Sequence, residues 1–437
     1  MLSTFRPGRT GPAPRPRATT SSSKDRSAPS SAAWGAACAG AGTGVTKVNF
    51  NGGDCYDWPF GGARCYRGTV AAWPDFVLAL ARRQDVTDIV LIGDCRPLHI
   101  AAVEALRAWR PEIRVHVYEE GYIRPDWVTL EDSGVNARSP MPRRAEAILP
   151  LPEAAMPRYG VAVGASTVRM GIRAMFSYFA MFLLGFLFRN YEHHRPDGPL
   201  REAGLWLRRL GGRNLRQAEA AAREAALYSE RKPYFLVLLQ LNVDKQIVFH
   251  SPFANMQAYL ERVCQSFAAH APPDSLLVVK AHPLDNGRDD HEGDLAALGQ
   301  RFGIAGRVRF IDGGNLIGLL EGCRGAVTVN STAGISALHR SIPLIALGHA
   351  LFDLPGLCHQ GGLDSFWTAP EPVDSRLYHG WRNMISRRSQ VNGSFYSDRG
   401  IQMVIDGSLP ILEGTAGPVR DWPPLPAANP VGPKPAP

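Results

Sequence analysis

The sequence predicts an α/β protein, built as two Rossmann-like, doubly wound domains with tails at either end. Three observations carry this expectation. Buried-type strands alternate with helical patterns along most of the chain, which is the signature of a parallel, doubly wound sheet. The alternation occurs twice, before and after a long helical stretch. With 437 residues the chain also exceeds the size at which one hydrophobic core stops growing, roughly 250–300 residues.

In order, residues 1–45 are rich in Ala, Gly, Ser, Thr and Pro and are expected to stay disordered, as a basic leader. A first domain is expected over 46–160. Strand Lys47–Phe50 runs into Gly52-Gly53. Helix Trp73–Arg82, strand Asp88–Ile92, helix Ala101–Trp109 and strand Val115–Tyr118 follow. A helical connector is expected over 161–232. Its segment Ala174–Phe188 is uncharged, with Arg173 and Arg189 as flanks. That run is short of the ~20 residues a span needs, so three readings stand: a helix buried between domains, an interfacial membrane helix, or a span. Arg201–Glu230 reads as a polar, Ala-rich helix.

The second domain is expected over 233–375, with strands Tyr234–Leu241, Leu276–Lys280, Val308–Ile311, Ala326–Val329 and Pro343–Leu347 separated by helical patterns. Helices within 376–413 are expected to pack back onto the first domain, and 414–437 is a Pro-rich tail. Two such domains facing a cleft make the GT-B plan, in which ligands meet the carboxyl ends of strands.

Charge narrows the partners. The formal net charge is +8, concentrated in the leader and between Arg201 and Lys232, which suits lipid head groups, an acidic glycan or nucleic acid. Nucleic acid is the poorest of these, because the basic residues are not interleaved with aromatics on a recognisable module. Seven scattered cysteines without a CxxC pair indicate neither a zinc site nor a disulfide framework, and fit a reducing cytoplasm. No apolar run of signal-peptide type opens the sequence.

Four polar constellations stand at expected strand ends. The first is Glu119-Glu120-Gly121 with Arg124: a carboxylate there suits a base toward an acceptor hydroxyl, and the arginine an anionic substrate. The second is Gln240, Asn242, Asp244 and Gln246, where Asp244 is a candidate base or nucleophile. The third is Lys280-Ala-His282-Pro283, with His282 placed to protonate a leaving phosphate. The fourth is Asn330-Ser331-Thr332, which suits a helix cap or a phosphate cradle. Ordinary turns and caps account for each one singly; the joint set is what points to a transferase. No Asp-x-Asp stands where a diphosphate-bound metal would need it, so neither metal nor other cofactor is expected.

These segments carry a family resemblance: NFNGGD, YRGTVAAWPDF, LIGDCRPLH, YEEGYIRPDWVTLEDSGVN, YEHHR, LLQLNVDKQIVFHSPF, KAHPLD and VNSTAGISALHRSIPLIALG. The sequence resembles the capsule polysaccharide biosynthesis family, in its branch of retaining β-Kdo transferases, over about residues 47–370. The resemblance implies CMP-β-Kdo as donor and a phosphatidylglycerol-type lipid as acceptor. It implies a place in the cytoplasm, peripheral on the inner membrane, alongside other capsule synthesis and export proteins. By resemblance His282, Ser331 and Thr332 hold the CMP; Gly52, Gly53, Arg124, Gln240, Gln246, Lys280 and Asn330 are further substrate-binding candidates. Glu119, Glu120 and Asp244 are the acid candidates. His193 and His194 match a family feature of underived role. Two alternatives remain: another CMP-linked acid sugar such as sialic acid, and a non-enzymatic assembly factor that binds glycan or lipid.

Overall fold

A computed structural model describes residues 3–7, 44–58, 62–164, 167–192, 199–242 and 251–413. Asp244, Gln246, His193, His194 and the tail 414–437 lie outside the described residues. The chain divides into two compact units. Unit 1 gathers the described residues up to Pro140, those of Arg158–His193 and those from Ile385 onward. Unit 2 gathers Met141–Pro157 and the described residues of His194–Met384.

Among the described residues unit 1 is built on seven strands: β1 (Ser3–Pro7), β2 (Thr46–Asn49), β3 (Arg64–Cys65), β4 (Val86–Ile92), β5 (Arg114–Glu120), β6 (Trp127–Asp132) and, from the far end of the chain, β12 (Gln390–Asn392). The sheet order is β12-β6-β5-β4-β1-β2-β3. It is mixed rather than parallel: β4 and β5 are parallel, while β1, β6 and β12 pair antiparallel to their neighbours. Strand β1 comes from the expected leader. Its short STFRP segment, with Thr and Phe, is compatible with a strand.

Both faces of this sheet are covered, and the strands show it by period two. Ile89 and Leu91 point into one cluster with Val115 and Val117, under α2 (Trp73–Gln84) and α3 (Pro97–Trp109). Val90 points into the other, with Val128, Leu130 and Ile401, Val404 and Ile405 of α12 (Asp398–Glu413). That alternation is the geometry of a pleated strand.

Gly52-Gly53, expected to close a strand, instead opens α1 (Gly52–Asp57), capped by the Asn51 side chain, which accepts from the Asp54 N–H at 3.0 Å. Both glycines lie against α4 (Thr167–Leu183): a Cβ on Gly52 would sit 2.1 Å from the Ala180 carbonyl oxygen. Close helix contact accounts for the pair.

Helix α4 is not a buried connector. Ser177, Ala180 and Leu184 face α1, while Met175, Phe179 and Phe182 are 61%, 60% and 66% exposed. No helix among the described residues is long and apolar enough to cross a membrane.

In unit 2 the expected single helix 201–230 is two, α5 (Pro199–Gly211) and α6 (Arg213–Glu230), joined at Gly212. Strands β7 (Tyr234–Leu238), β8 (Leu276–Lys280), β9 (Val308–Ile311), β10 (Gly325–Thr328) and β11 (Leu344–Ala346) form one parallel sheet in the order β11-β10-β7-β8-β9. This is the doubly wound order, with the chain reversing its direction of travel between β7 and β10. Its core joins Phe235, Val237 and Val279 to α7 (Met256–His270) and Trp367.

Candidate functional site

Doubly wound sheets bind ligands where the strand order reverses, beyond the carboxyl ends of the strands. In unit 2 that point is occupied by a two-point amide clasp. The Gln240 side-chain NH2 donates to Asn330 Oδ1 at 2.8 Å, and the Asn330 backbone N–H donates to Gln240 Oε1 at 3.1 Å. Gln240 follows β7 and is buried; Asn330 follows β10 and is half-exposed. The clasp fixes the two strand exits in register. Asn242 extends it, accepting the Met256 N–H at 2.7 Å and holding the start of α7.

Ser331 and Thr332 come next, half-exposed, before the six-residue helix α10 (Ala333–Leu338). The Ser331 hydroxyl accepts the Ala333 N–H at 3.2 Å, and the Ser331 carbonyl accepts the Gly334 N–H at 2.9 Å. Capping therefore already occupies two first-turn N–H groups, which leaves the hydroxyls, rather than a full cradle of amides, to face a phosphate.

His282 leaves β8, the other neighbour of β7, and is half-exposed. Its Nδ1 accepts the Leu284 N–H at 3.1 Å, so the proton of a neutral ring sits on Nε2. Three adjacent strands thus end in Asn330-Ser331, Gln240 and His282. Adjacent strands are about 4.8 Å apart, so the group spans about 10 Å. Lys280 stands apart from them. Its buried ammonium donates to the Gly313 carbonyl, and burial lowers its pKa against the pull of Glu224 and Asp312. It anchors the loop after β9.

In unit 1 the strand runs further than expected: Glu119 and Glu120 are the last two residues of β5, paired with Thr129 and Val128. The Glu120 backbone N–H donates to Glu119 Oε1 at 3.1 Å. Glu120 Oε1 accepts a short hydrogen bond from the Tyr396 hydroxyl. Burial, then the charge of Glu120, raises the Tyr396 pKa, so the phenol keeps its proton and donates. Gly121 permits the turn that follows, since a Cβ there would lie 2.2 Å from the Trp127 carbonyl oxygen. Arg124 is exposed and its Nε donates to the Gly121 carbonyl at 3.2 Å.

Around these carboxylates the structure adds residues that sequence reasoning passed over. Asp94, after β4, accepts the Val135 N–H at 3.2 Å. The Tyr122 hydroxyl donates to Glu131 at 3.3 Å and accepts the Asn136 N–H at 2.6 Å. Gln390, from β12, accepts the Tyr122 N–H at 3.0 Å and donates to Thr129 at 3.0 Å. Tyr396 and Gln390 are more than 260 residues from their partners, beyond any local motif. Their one signal is a polar cluster, SQVNGSFYSD, ahead of a helix.

The family model for capsule polysaccharide biosynthesis proteins matches residues 87–396, which reach from β4 to Tyr396. The chain belongs to the capsule polysaccharide biosynthesis family. Within this family it is 34% identical over 360 residues to the capsule polysaccharide export protein KpsS of Escherichia coli, covering 81% of this chain and 91% of that protein. It is equally 34% identical to the capsule polysaccharide modification protein LipB of Neisseria meningitidis serogroup B, covering 81% and 85%. Among solved structures, the β-Kdo 2,7 transferase of Thermosulfurimonas dismutans KpsC aligns over 73% of this chain and 82% of that one, at 17% identity and a TM-score of 0.38.

Proposed function

We propose that this capsule-family chain is a glycosyltransferase that moves β-Kdo from CMP-Kdo, with retention, to a phosphatidylglycerol-type lipid at the cytoplasmic face of the inner membrane. The observation that supports it most is the unit 2 switch point, where Asn330, Ser331, Gln240 and His282 stand at the ends of three adjacent strands. A CMP-sugar breaks between its anomeric carbon and one phosphate oxygen. The departing CMP gains negative charge there, and His282 Nε2–H with the Ser331 and Thr332 hydroxyls are donors suited to it. One phosphate needs less neutralisation than a diphosphate, so the proposal invokes no metal. Asp244 is the proposed nucleophile for retention, and Glu119 and Glu120 the proposed acid–base candidates of unit 1.

The test is CMP release from CMP-Kdo with a phosphatidylglycerol-type acceptor. The wild type should turn over, unaffected by a chelator, and His282→Ala should fall by about 100-fold. Full turnover in His282→Ala removes the histidine from the donor site. Turnover with CMP-sialic acid in place of CMP-Kdo changes the donor. Failure with every CMP-sugar, with lipid or glycan binding intact, leaves a binding protein of the same fold.

A further inference from the structure

Helix α4 carries two faces of opposite character. One is small: Ser177 and Ala180 lie against Gly52 and Gly53 of α1, close enough that any Cβ on Gly52 collides with backbone. The other is large and apolar: Ile172, Met175, Phe176, Phe179, Phe182 and Leu183 are between 47% and 66% exposed. At 100° per residue those six fall within an arc of about 120°. Phe186, in the turn that follows, continues the face at 65% exposed, and Tyr56 of α1 extends it sideways by stacking on Phe176. An exposed apolar stripe of this extent calls for an occupant.

We propose that this face docks into the head-group boundary of an anionic phospholipid bilayer, with the helix lying along the surface. Length argues against a crossing: 17 residues make about 26 Å, and no described helix meets the requirement for a span. Charge argues for an anionic surface. From residue 167 to 192 the sequence has Arg169, Arg173 and Arg189 against Glu192 alone. Exposed Arg189 follows the apolar stripe, and half-exposed Arg173 stands within the helix. On the helix this face offers phenylalanine, methionine, leucine and isoleucine, and at its edge stands Tyr56, whose apolar ring and polar hydroxyl suit a head-group boundary. The tight α1 contact fixes the helix with Phe179 and Phe182 exposed.

The experiment is co-sedimentation of the full chain with vesicles of phosphatidylcholine alone and of phosphatidylcholine with phosphatidylglycerol in equal parts. The wild type should pellet with the mixed vesicles and much less with the neutral ones. Phe179→Glu with Phe182→Glu should weaken that binding by at least about 100-fold, with an unchanged unfolding temperature. Phe182→Trp should retain it, and Arg189→Glu should reduce the preference for the anionic vesicles. Equal pelleting of wild type and double variant overturns the proposal, as does a wild type that ignores vesicles. A wild type that self-associates through this face, becoming monomeric in the double variant without any vesicle binding, assigns the face to a second copy instead. No step uses CMP-Kdo, so vesicle binding without CMP release overturns the transferase reading alone, and release from a lipid acceptor without vesicle binding overturns this one alone.

Discussion

Two side-chain arrangements in unit 1 make separable statements. Tyr396 reaches Glu120 from the other end of the sequence. Its hydroxyl holds the Glu120 carboxylate in place. For the proposed transfer, Tyr396→Phe should lower kcat for CMP release by about tenfold, the value of one lost charge-assisted hydrogen bond, with little change in KM. His116 makes a different statement. It lies buried between Asp88 and Asp132, at 2.9 Å from each, and Arg114 joins Asp88 at 2.6 Å. Burial works against charge on His116, but the hydrogen bonds to Asp132 and Asp88 outweigh it and raise its pKa. Burial likewise opposes charge on Asp88, and hydrogen bonds from His116, Thr87 and Arg114 overcome it, to a pKa of about 2.

The signs follow directly. The raised histidine stabilises the fold fully below its unfolded value of about 6.5, and loses that contribution as pH rises through its folded value. The depressed carboxyl stabilises above its unfolded value of about 3.9, and loses that contribution as pH falls toward 2. The contribution of this His116–Asp88 pair, read by denaturant titration of wild type against His116→Leu, should therefore be greatest at mildly acidic pH and fall on both sides. His116→Leu should flatten the alkaline arm and cost about 3 kcal/mol near pH 5, because Asp88 is left buried without it.

Among the elements, legibility tracked how local the cause was. The strands of unit 2 read almost residue by residue, since both faces of a parallel sheet are buried and the sequence is a run of Leu, Val and Phe. The Asn51 cap that turns Gly52-Gly53 into a helix start was legible as Asn-Gly-Gly-Asp but lost to the stronger strand signal before it. What no window could show was the second helix that needs those glycines. Gly52→Ala should lower the unfolding temperature by several degrees, at an overpacking cost of about 1–3 kcal/mol, whereas Gly171→Ala, in α4 with open space around it, should not. The boundary of β5 was misread for a similar reason: two glutamates at a strand end look like a loop until β6 pairs with them. The candidate donor residues of unit 2 were found at their strand ends, yet their mutual use was not. Gln240 and Asn330 read as two separate polar residues, and only the sheet order makes them a clasp.

At the scale of the whole chain, neither unit is a continuous stretch. Unit 1 is completed by the described residues from Ile385 onward, where β12 borders β6 and α12 covers Val90, Tyr118 and Val128. Truncation after residue 384 should strip that face bare. The outcome to measure is limited proteolysis, with rapid cleavage inside β4–β6 and persistence of fragments from 251–384. Equal resistance of both regions would mean that unit 1 holds its fold without its last segment.

That closure has a consequence for how the molecule is made. A ribosome emits the described residues of unit 2 before it emits β12 and α12. The first unit must wait, with the edge of β6 unpaired and one side of its sheet wet, after every described residue of unit 2 has emerged. Folding during synthesis should therefore run opposite to reading order, and the open edge is the part of the nascent chain most in want of a chaperone.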